Sequence, residues 1–300
     1  MSEQIELIKQ LRDRTGAGIM DCKKALIAND NDISKAMDWL REKGIAKQAN
    51  KAATRIAAEG VAWVMVDGNH AAIVEINSET DFVANSDPFR ALVKEVNDLV
   101  LKNGPKTLDE AKAIKNAAGK SIADLFVDAG IKLGEKLDFR RFAFVNKSDD
   151  EVFGPYIHMN GKIATLVVLK GGDAEAANGV ALNVCSMNPT YRTQADIPQE
   201  VIDKESAIEL EASKQDPKFA SKPEAIQKKI VEGKVRKSIG ENVLADEPYV
   251  LDDTKTIGQF LEEKKASVVS YIRYAVGEGI EKKVDDLASE VAKQVSAASK

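Results

Sequence analysis

Three carboxylates and an aromatic ring share one short stretch, Glu75-Ile76-Asn77-Ser78-Glu79-Thr80-Asp81-Phe82-Val83-Ala84-Asn85. Glu75, Glu79 and Asp81 are residue types that exchange protons with a substrate, as paired carboxylates do in a hydrolase. Phe82 and Val83 could plug a core beneath a turn, the ordinary fate of an apolar pair. They could equally stand outward for a partner to bury. The alternation in His70-Ala71-Ala72-Ile73-Val74-Glu75-Ile76 predicts a half-buried strand. Ser86-Asp87-Pro88 predicts a helix start, with Asp87 as cap and Pro88 at the first position. Thr80 to Val83 therefore fall on a connection. Alternation leaves Glu75 on the strand and puts Glu79 and Asp81 on the turn, with nothing polar nearby that reads as a substrate clamp. Since a reaction needs several groups in mutual geometry, the pattern argues against an enzyme.

The elements that carry this stretch occur twice. Gly60 to Asp67 and His70 to Asn77 read as strands joined by Gly68-Asn69, a pair that tolerates positive φ. The stripe Phe89, Leu92, Val93, Val96, Leu99 and Val100 comes next as a helix. The same order returns later as Val152 to Met159, an Asn160-Gly161 turn, Ile163 to Leu169 and a helix from Ala174 to Met187. This predicts two related α+β subdomains, each an antiparallel hairpin with helices on one face. The second copy passes from strand to helix through Lys170-Gly171-Gly172-Asp173, the first through the longer Ser78 to Asp87. An extended connection at one of two equivalent places implies a role beyond reversing the chain.

The flanks complete an α+β architecture. Apolar positions at Ile5, Ile8 and Leu11, at Ile19, Cys22 and Leu26, and at Ile33, Ala36, Met37 and Leu40 predict three short helices, the last capped from Asp30-Asn31-Asp32. They make a bundle over 1–45 similar to the ubiquitin-associated type. A linker over 46–58, rich in Ala, Lys and Gln, comes after it. Lys43, Lys47, Lys51 and Arg55 recur every four residues there. On a helix they would line up one positive face, either solvated or offered to RNA, though no aromatics interleave for stacking. The first subdomain covers 59–147 and the second 148–283. Into the second is inserted a charged antiparallel helical hairpin over 198–240, its second helix opened by a capping box at Ser221-Lys222-Pro223-Glu224, with Ile226, Ile230 and the stem of Lys234 on one side. Strand-like Ala266 to Val276 returns to the second subdomain, and a closing helix is predicted from Val284 to Val295 within 284–300.

Composition narrows the function. With 44% hydrophobic residues but 5% aromatics, the cores are built from Ala, Val, Ile and Leu. A net charge of −5 argues against nucleic acid as the main partner and favours a protein or a small ligand. Cys22 and Cys185 stand far apart without a CxxC or a Cys/His cluster, so they read as reduced, buried thiols. No phosphate-cradling glycine motif is present. Gly171-Gly172 and Gly277-Glu278-Gly279 read as turns, and His70 and His158 are too few for a histidine-rich metal site. No cofactor and no metal site are expected. The N-terminus lacks an apolar leader and no run of 18 apolar residues occurs, which predicts a soluble, cytoplasmic chain without a membrane partner.

Three motifs carry a family resemblance. The stretch around Thr80-Asp81-Phe82-Val83, the N-terminal run Leu11-Arg12-Asp13-Arg14-Thr15-Gly16-Ala17-Gly18-Ile19-Met20-Asp21-Cys22-Lys23-Lys24-Ala25-Leu26, and Val276-Gly277-Glu278-Gly279-Ile280-Glu281-Lys282 resemble signatures of the elongation factor Ts family. The chain departs from the family where Ser78 stands in place of a common Cys and Asn85 in place of a basic residue. The resemblance implies a guanine-nucleotide exchange factor in translation elongation, which binds elongation factor Tu in its GDP-bound and nucleotide-free states. It implies that Phe82 wedges between helices flanking the partner's Mg²⁺ site while Asp81 disturbs the ion's surroundings, with Thr80 and Val83 shaping the loop. It also implies that the bundle docks on the partner, with Arg12 and Met20 as contact candidates, and that His158 touches the partner's phosphate-binding side. Core packing for Met20 and a solvated hairpin histidine for His158 remain the plain alternatives. An RNA- or ribosome-binding scaffold using the basic linker and the helical hairpin is the alternative for the whole chain.

Overall fold

The computed structural model describes residues 3–15, 17, 19–52, 55–240 and 242–281. The predicted closing helix from Val284 to Val295 lies outside the described residues. The chain divides into two compact units. One takes residues up to Ala62, Val74–Phe142 and the chain from Ala275 on; the other takes Trp63–Ile73 and Ala143–Tyr274.

The first unit opens with α1 (Glu3–Thr15), α2 (Ile19–Ala28) and α3 (Ile33–Ala52). Their core is Leu11, Ala17, Cys22, Ala25, Leu26, Ala36 and Leu40, with Leu7, Ile8, Ile33, Met37 and Trp39 packed against it. Asp32 Oδ1 accepts from the Lys35 amide at 3.0 Å and starts α3 as the sequence predicts. One expectation fails here. Ile5 and Ile19, assigned to the buried stripes, are exposed. The stretch over 46–58, expected as a partly helical linker, continues α3 as far as Ala52, so the boundary drawn at residue 45 falls inside that helix. Gly44 sits mid-helix, and a Cβ there would lie 2.2 Å from Ile131 Cδ1; the missing side chain lets a later helix approach.

Strands β1 (Glu59–Asp67) and β2 (His70–Ser78) form the predicted first hairpin. A single helical turn, α4 (Asp81–Ala84), then precedes α5 (Asp87–Asn103). Ser86, not Asp87, holds the extended N-cap position of α5, and Pro88 comes after Asp87 inside the first turn. Next come α6 (Leu108–Ala113), α7 (Ile122–Leu133) and β3 (Asp138–Asn146), and the sheet order is β1-β2-β3. Ser121 and Asp124 close a reciprocal capping box that starts α7.

In the second unit β4 (Glu151–His158) and β5 (Ile163–Lys170) pair antiparallel, from Glu151 opposite Lys170 to His158 opposite Ile163. Helix α8 (Ala174–Met187) lies close over them. A Cβ on Gly154 would sit 2.2 Å from the Ala177 carbonyl oxygen, so only glycine permits that approach. The hairpin is α9 (Gln199–Lys214), a short α10 (Pro217–Ala220) and α11 (Glu224–Gly240). Its buried side is Val231, Val235 and Ile239 with Phe219 and Ile197; of the predicted stripe, Ile230 packs against that cluster while Ile226 is exposed. Ser221 is not a cap for α11: its hydroxyl donates to the Lys218 carbonyl at 3.2 Å and finishes α10. A two-stranded ribbon of β6 (Pro248–Tyr249) and β7 (Asp252–Thr256) leads into α12 (Ile257–Glu263), and β8 (Ser267–Ala275) completes the order β4-β5-β8.

Candidate functional site

Strand β2 is buried from Ala71 to Ser78, and its C-terminal end sets the course of the connection to α4. The Ser78 hydroxyl donates to the Thr80 carbonyl at 3.0 Å. Thr80 is extended, φ −122° and ψ 156°, and its hydroxyl oxygen accepts from the Val83 amide at 3.3 Å, the contact that starts a helix. One turn later the Ser86 hydroxyl donates to the Val83 carbonyl at 2.7 Å and the turn ends. Residues two apart on a helix point to nearly opposite sides. Ala84, buried, therefore anchors α4 inward while Phe82 is 85% exposed. Asp81 is exposed and Val83 half-buried. For Phe82 the core-plug alternative is overturned.

The turn is tied down from elsewhere in the same unit. Glu135 Oε2 accepts from the amides of Glu79 and Thr80, each at 3.1 Å, and Oε1 accepts from the Thr80 hydroxyl at 2.5 Å. In return Glu79 Oε1 accepts from the Lys136 amide at 2.5 Å, and Glu79 Oε2 pairs with Arg55 Nη1 at 2.9 Å. Sequence reasoning missed Glu135. The available signal was that the third residue after the Thr80 cap is Val83, which cannot return a side-chain acceptor to the cap amide.

The three carboxylates do not form a catalytic group. Glu75 is buried and faces away into a cluster of its own. Arg140 Nη1 donates to its Oε1 at 2.8 Å, Arg141 Nε to its Oε2 at 2.5 Å, and the Gly277 amide and Asn77 Nδ2 to Oε1 at 2.9 and 3.2 Å. Arg141 Nη2 further donates to the Ala275 carbonyl at 3.2 Å. A carboxylate held between two guanidiniums is a structural ion, which corrects the hydrolase reading. The cluster also accounts for the Gly277-Glu278 motif, since that turn supplies an amide donor to the buried charge.

Arg12 is exposed in the last turn of α1. Met20 is 62% exposed on α2, which removes core packing as its role. Ile27, two helical turns on and 59% exposed, shares its face and is not singled out by the sequence. In the second unit His158 is half-buried at the end of β4, its Nδ1 3.1 Å from the Tyr156 hydroxyl, and Met159 beside it is exposed. Thr80 to Val83 thus come together in one turn, whereas Arg12, Met20 and His158 lie on other elements. Of the predicted positive face, Lys43 stands over the Trp39 ring and Arg55 is engaged by Glu79; the side chains of Lys47 and Lys51 lie outside the described residues. Burial pushes the thiols of Cys22 and Cys185 up from their ordinary value, keeping both protonated and unreactive. Among the described residues no helix is long and apolar enough to cross a membrane.

Comparison with known proteins agrees over nearly the whole chain. Residues 79–278 match the family described as Elongation factor TS, and residues 1–49 match Elongation factor Ts, mitochondrial, N-terminal. The chain is 49% identical to an Elongation factor Ts of Limosilactobacillus reuteri over 289 residues, 96% of this chain and 97% of that protein. It is 47% identical to one of Levilactobacillus brevis and 45% identical to one of Limosilactobacillus fermentum, with the same coverage.

Proposed function

The chain belongs to the elongation factor Ts family, nucleotide exchange factors of translation elongation, and from that premise we propose that it releases GDP from elongation factor Tu by inserting Phe82 beside the partner's Mg²⁺ and phosphate site. The observation that carries this is the 85% exposure of a phenylalanine on a capped and braced turn. A GTPase holds GDP through backbone amides around the phosphates and through Mg²⁺ with its oxygen ligands and waters. Exchange requires those contacts to weaken without any bond being made or broken in the nucleotide.

The chain's own residues supply the two things needed. Burying Phe82 stabilises the inserted state by about 2–3 kcal/mol. Asp81, exposed at the first position of α4, presents a carboxylate that competes for ion-facing hydrogen bonds. Thr80 and Val83 hold the turn that aims both. The exposed face of Met20 and Ile27 on α2 is an apolar surface of the sort that docks a partner, and Arg12 adds an exposed basic group on α1. His158 and Met159 provide a second contact from the other unit. Of the basic face that an RNA scaffold would use, the described side chains are engaged within the chain, Lys43 over the Trp39 ring and Arg55 with Glu79.

Linkage fixes the test: whatever factor this protein takes from GDP affinity, GDP must take from its affinity for the partner. Catalytic amounts should speed release of labelled GDP from elongation factor Tu without changing the final equilibrium, and excess GDP with Mg²⁺ should dissociate the isolated complex. A complex indifferent to both would sink the proposal.

A further inference from the structure

A side chain 85% exposed receives almost no packing from its own chain, so the direction of Phe82 is set by the backbone of residues 79–83. A single helical turn has little stability of its own, because nucleation fixes several dihedrals for one hydrogen bond. Thr80 satisfies the Val83 amide, but the amides of Glu79 and Thr80 remain to be satisfied. A Glu or Gln three residues after the cap would normally reach back to the cap amide, and here that residue is Val83. The acceptor comes from 55 residues further along the chain instead, as the Glu135 carboxylate on the Thr80 amide, the Thr80 hydroxyl and, one residue earlier, the Glu79 amide.

We propose that Glu135 and Glu79 are positioning residues for nucleotide exchange, two carboxylates that each accept from the other's turn and so hold α4 with Phe82 aimed at the partner. Glu79 completes the reciprocal pairing on the Lys136 amide, its side chain 15% exposed and paired with Arg55. Lys136 Nζ in turn donates to the Arg55 carbonyl at 3.1 Å, so the segment entering β1 is part of the same brace. Both carboxylates are half-buried and engaged with the turns, so they act through α4. Their removal lowers the fraction of molecules whose Phe82 is ready to insert, and the rate of insertion falls with that fraction. The inference rests on Phe82 being the inserted residue.

The test measures GDP release from elongation factor Tu against concentration of the full-length protein for Glu135→Ala, Glu135→Gln, Phe82→Ala and the double variant Glu135→Ala/Phe82→Ala. Glu135→Ala should lower the limiting rate roughly fivefold while leaving the half-saturating concentration nearly unchanged, because the docking surface is intact. A merely structural role would do the reverse, reducing the folded concentration and shifting half-saturation at an unaltered limiting rate. Glu135→Gln keeps an acceptor oxygen for the amides and should restore most of the rate. The double variant should be no slower than Phe82→Ala, since a misdirected ring and a missing ring fail at the same step. Slow exchange in Phe82→Ala with normal exchange in a cooperatively melting Glu135→Ala, or losses that multiply in full, would overturn the brace alone. Normal exchange in Phe82→Ala would overturn the role of Phe82 and the brace with it. If Glu135→Ala does not melt cooperatively, the same cycle with Glu79→Ala decides, because it cuts the brace from the other turn.

Discussion

Replacing Phe82 by alanine separates what the ring does for this chain from what it does for a partner. The ring is 85% exposed, so its loss removes little buried surface, and a change at such a position is worth within about 0.5 kcal/mol of folding stability. Had it been a core residue, the same truncation would cost about 3–5 kcal/mol and lower the melting temperature by roughly ten degrees. For exchange the expectation reverses. The inserted state loses about 2–3 kcal/mol of burial, which slows GDP release roughly 30- to 150-fold. The assay pairs a thermal melt of the variant alone with stopped-flow release of a fluorescent GDP from elongation factor Tu, rates being taken per folded molecule. A variant that melts several degrees lower yet exchanges normally would refute the reasoning, because both the exposure and its use would then be misassigned.

Asp81→Ala should leave the melting temperature unchanged and slow GDP release, and the defect should shrink when Mg²⁺ is chelated, since the barrier the carboxylate helps to cross is then already gone; a defect of equal size with chelator would remove Asp81 from that role. Glu247 is buried, accepts from Asn183 Nδ2 at 3.1 Å, and burial pushes its carboxyl up from 4.5 to about 7. The folded state therefore holds this proton more tightly than the unfolded chain, so this group's contribution to stability is greatest below about pH 4.5 and falls by about 3 kcal/mol as pH rises to 7. Urea unfolding at pH 5 and pH 7.5 should show that slope in the parent protein and a shallower one in Glu247→Gln, and equal slopes would refute it.

The elements legible in the sequence are those encoded within a single stretch of chain. The paired hairpins announce themselves through alternation and the Gly68-Asn69 and Asn160-Gly161 turns, and α5 through its continuous apolar stripe. Helix α3 reads short because its later half carries no apolar stripe and its glycine resembles a stop; the reason for Gly44 is Ile131, far along the chain. The hairpin stripe is half right: Ile230 packs against the inward-facing Val231 and Val235, but Ile226, equally hydrophobic, is exposed and nothing local marks it so. At the candidate site the sequence locates Thr80 to Val83 but leaves the direction of Phe82 open. That direction depends on Ala84 turning inward and on Glu135 reaching across, and neither fact has a local signature.

The second hairpin acts as an internal control on the first. There the chain leaves β5 at Lys170, bends through Gly171 and Gly172 at φ 74° and 71°, and enters α8 directly, with Asp173 accepting from the Ala176 amide at 2.7 Å. The strand-to-helix step thus needs no extra helix and no exposed aromatic. In the first hairpin the same step carries α4, a turn too short to persist alone, and commits Glu79, Glu135 and Arg55 to holding it. A phenylalanine left in water adds nothing to the stability of this chain, and the brace around it holds the backbone that carries the ring without burying the ring. Such a device is stabilising only once a second surface covers it, and a ring carried on a held backbone loses less conformational entropy on insertion than one on a mobile loop. Rigidity and exposure, which work against each other in a free monomer, become complementary in a complex.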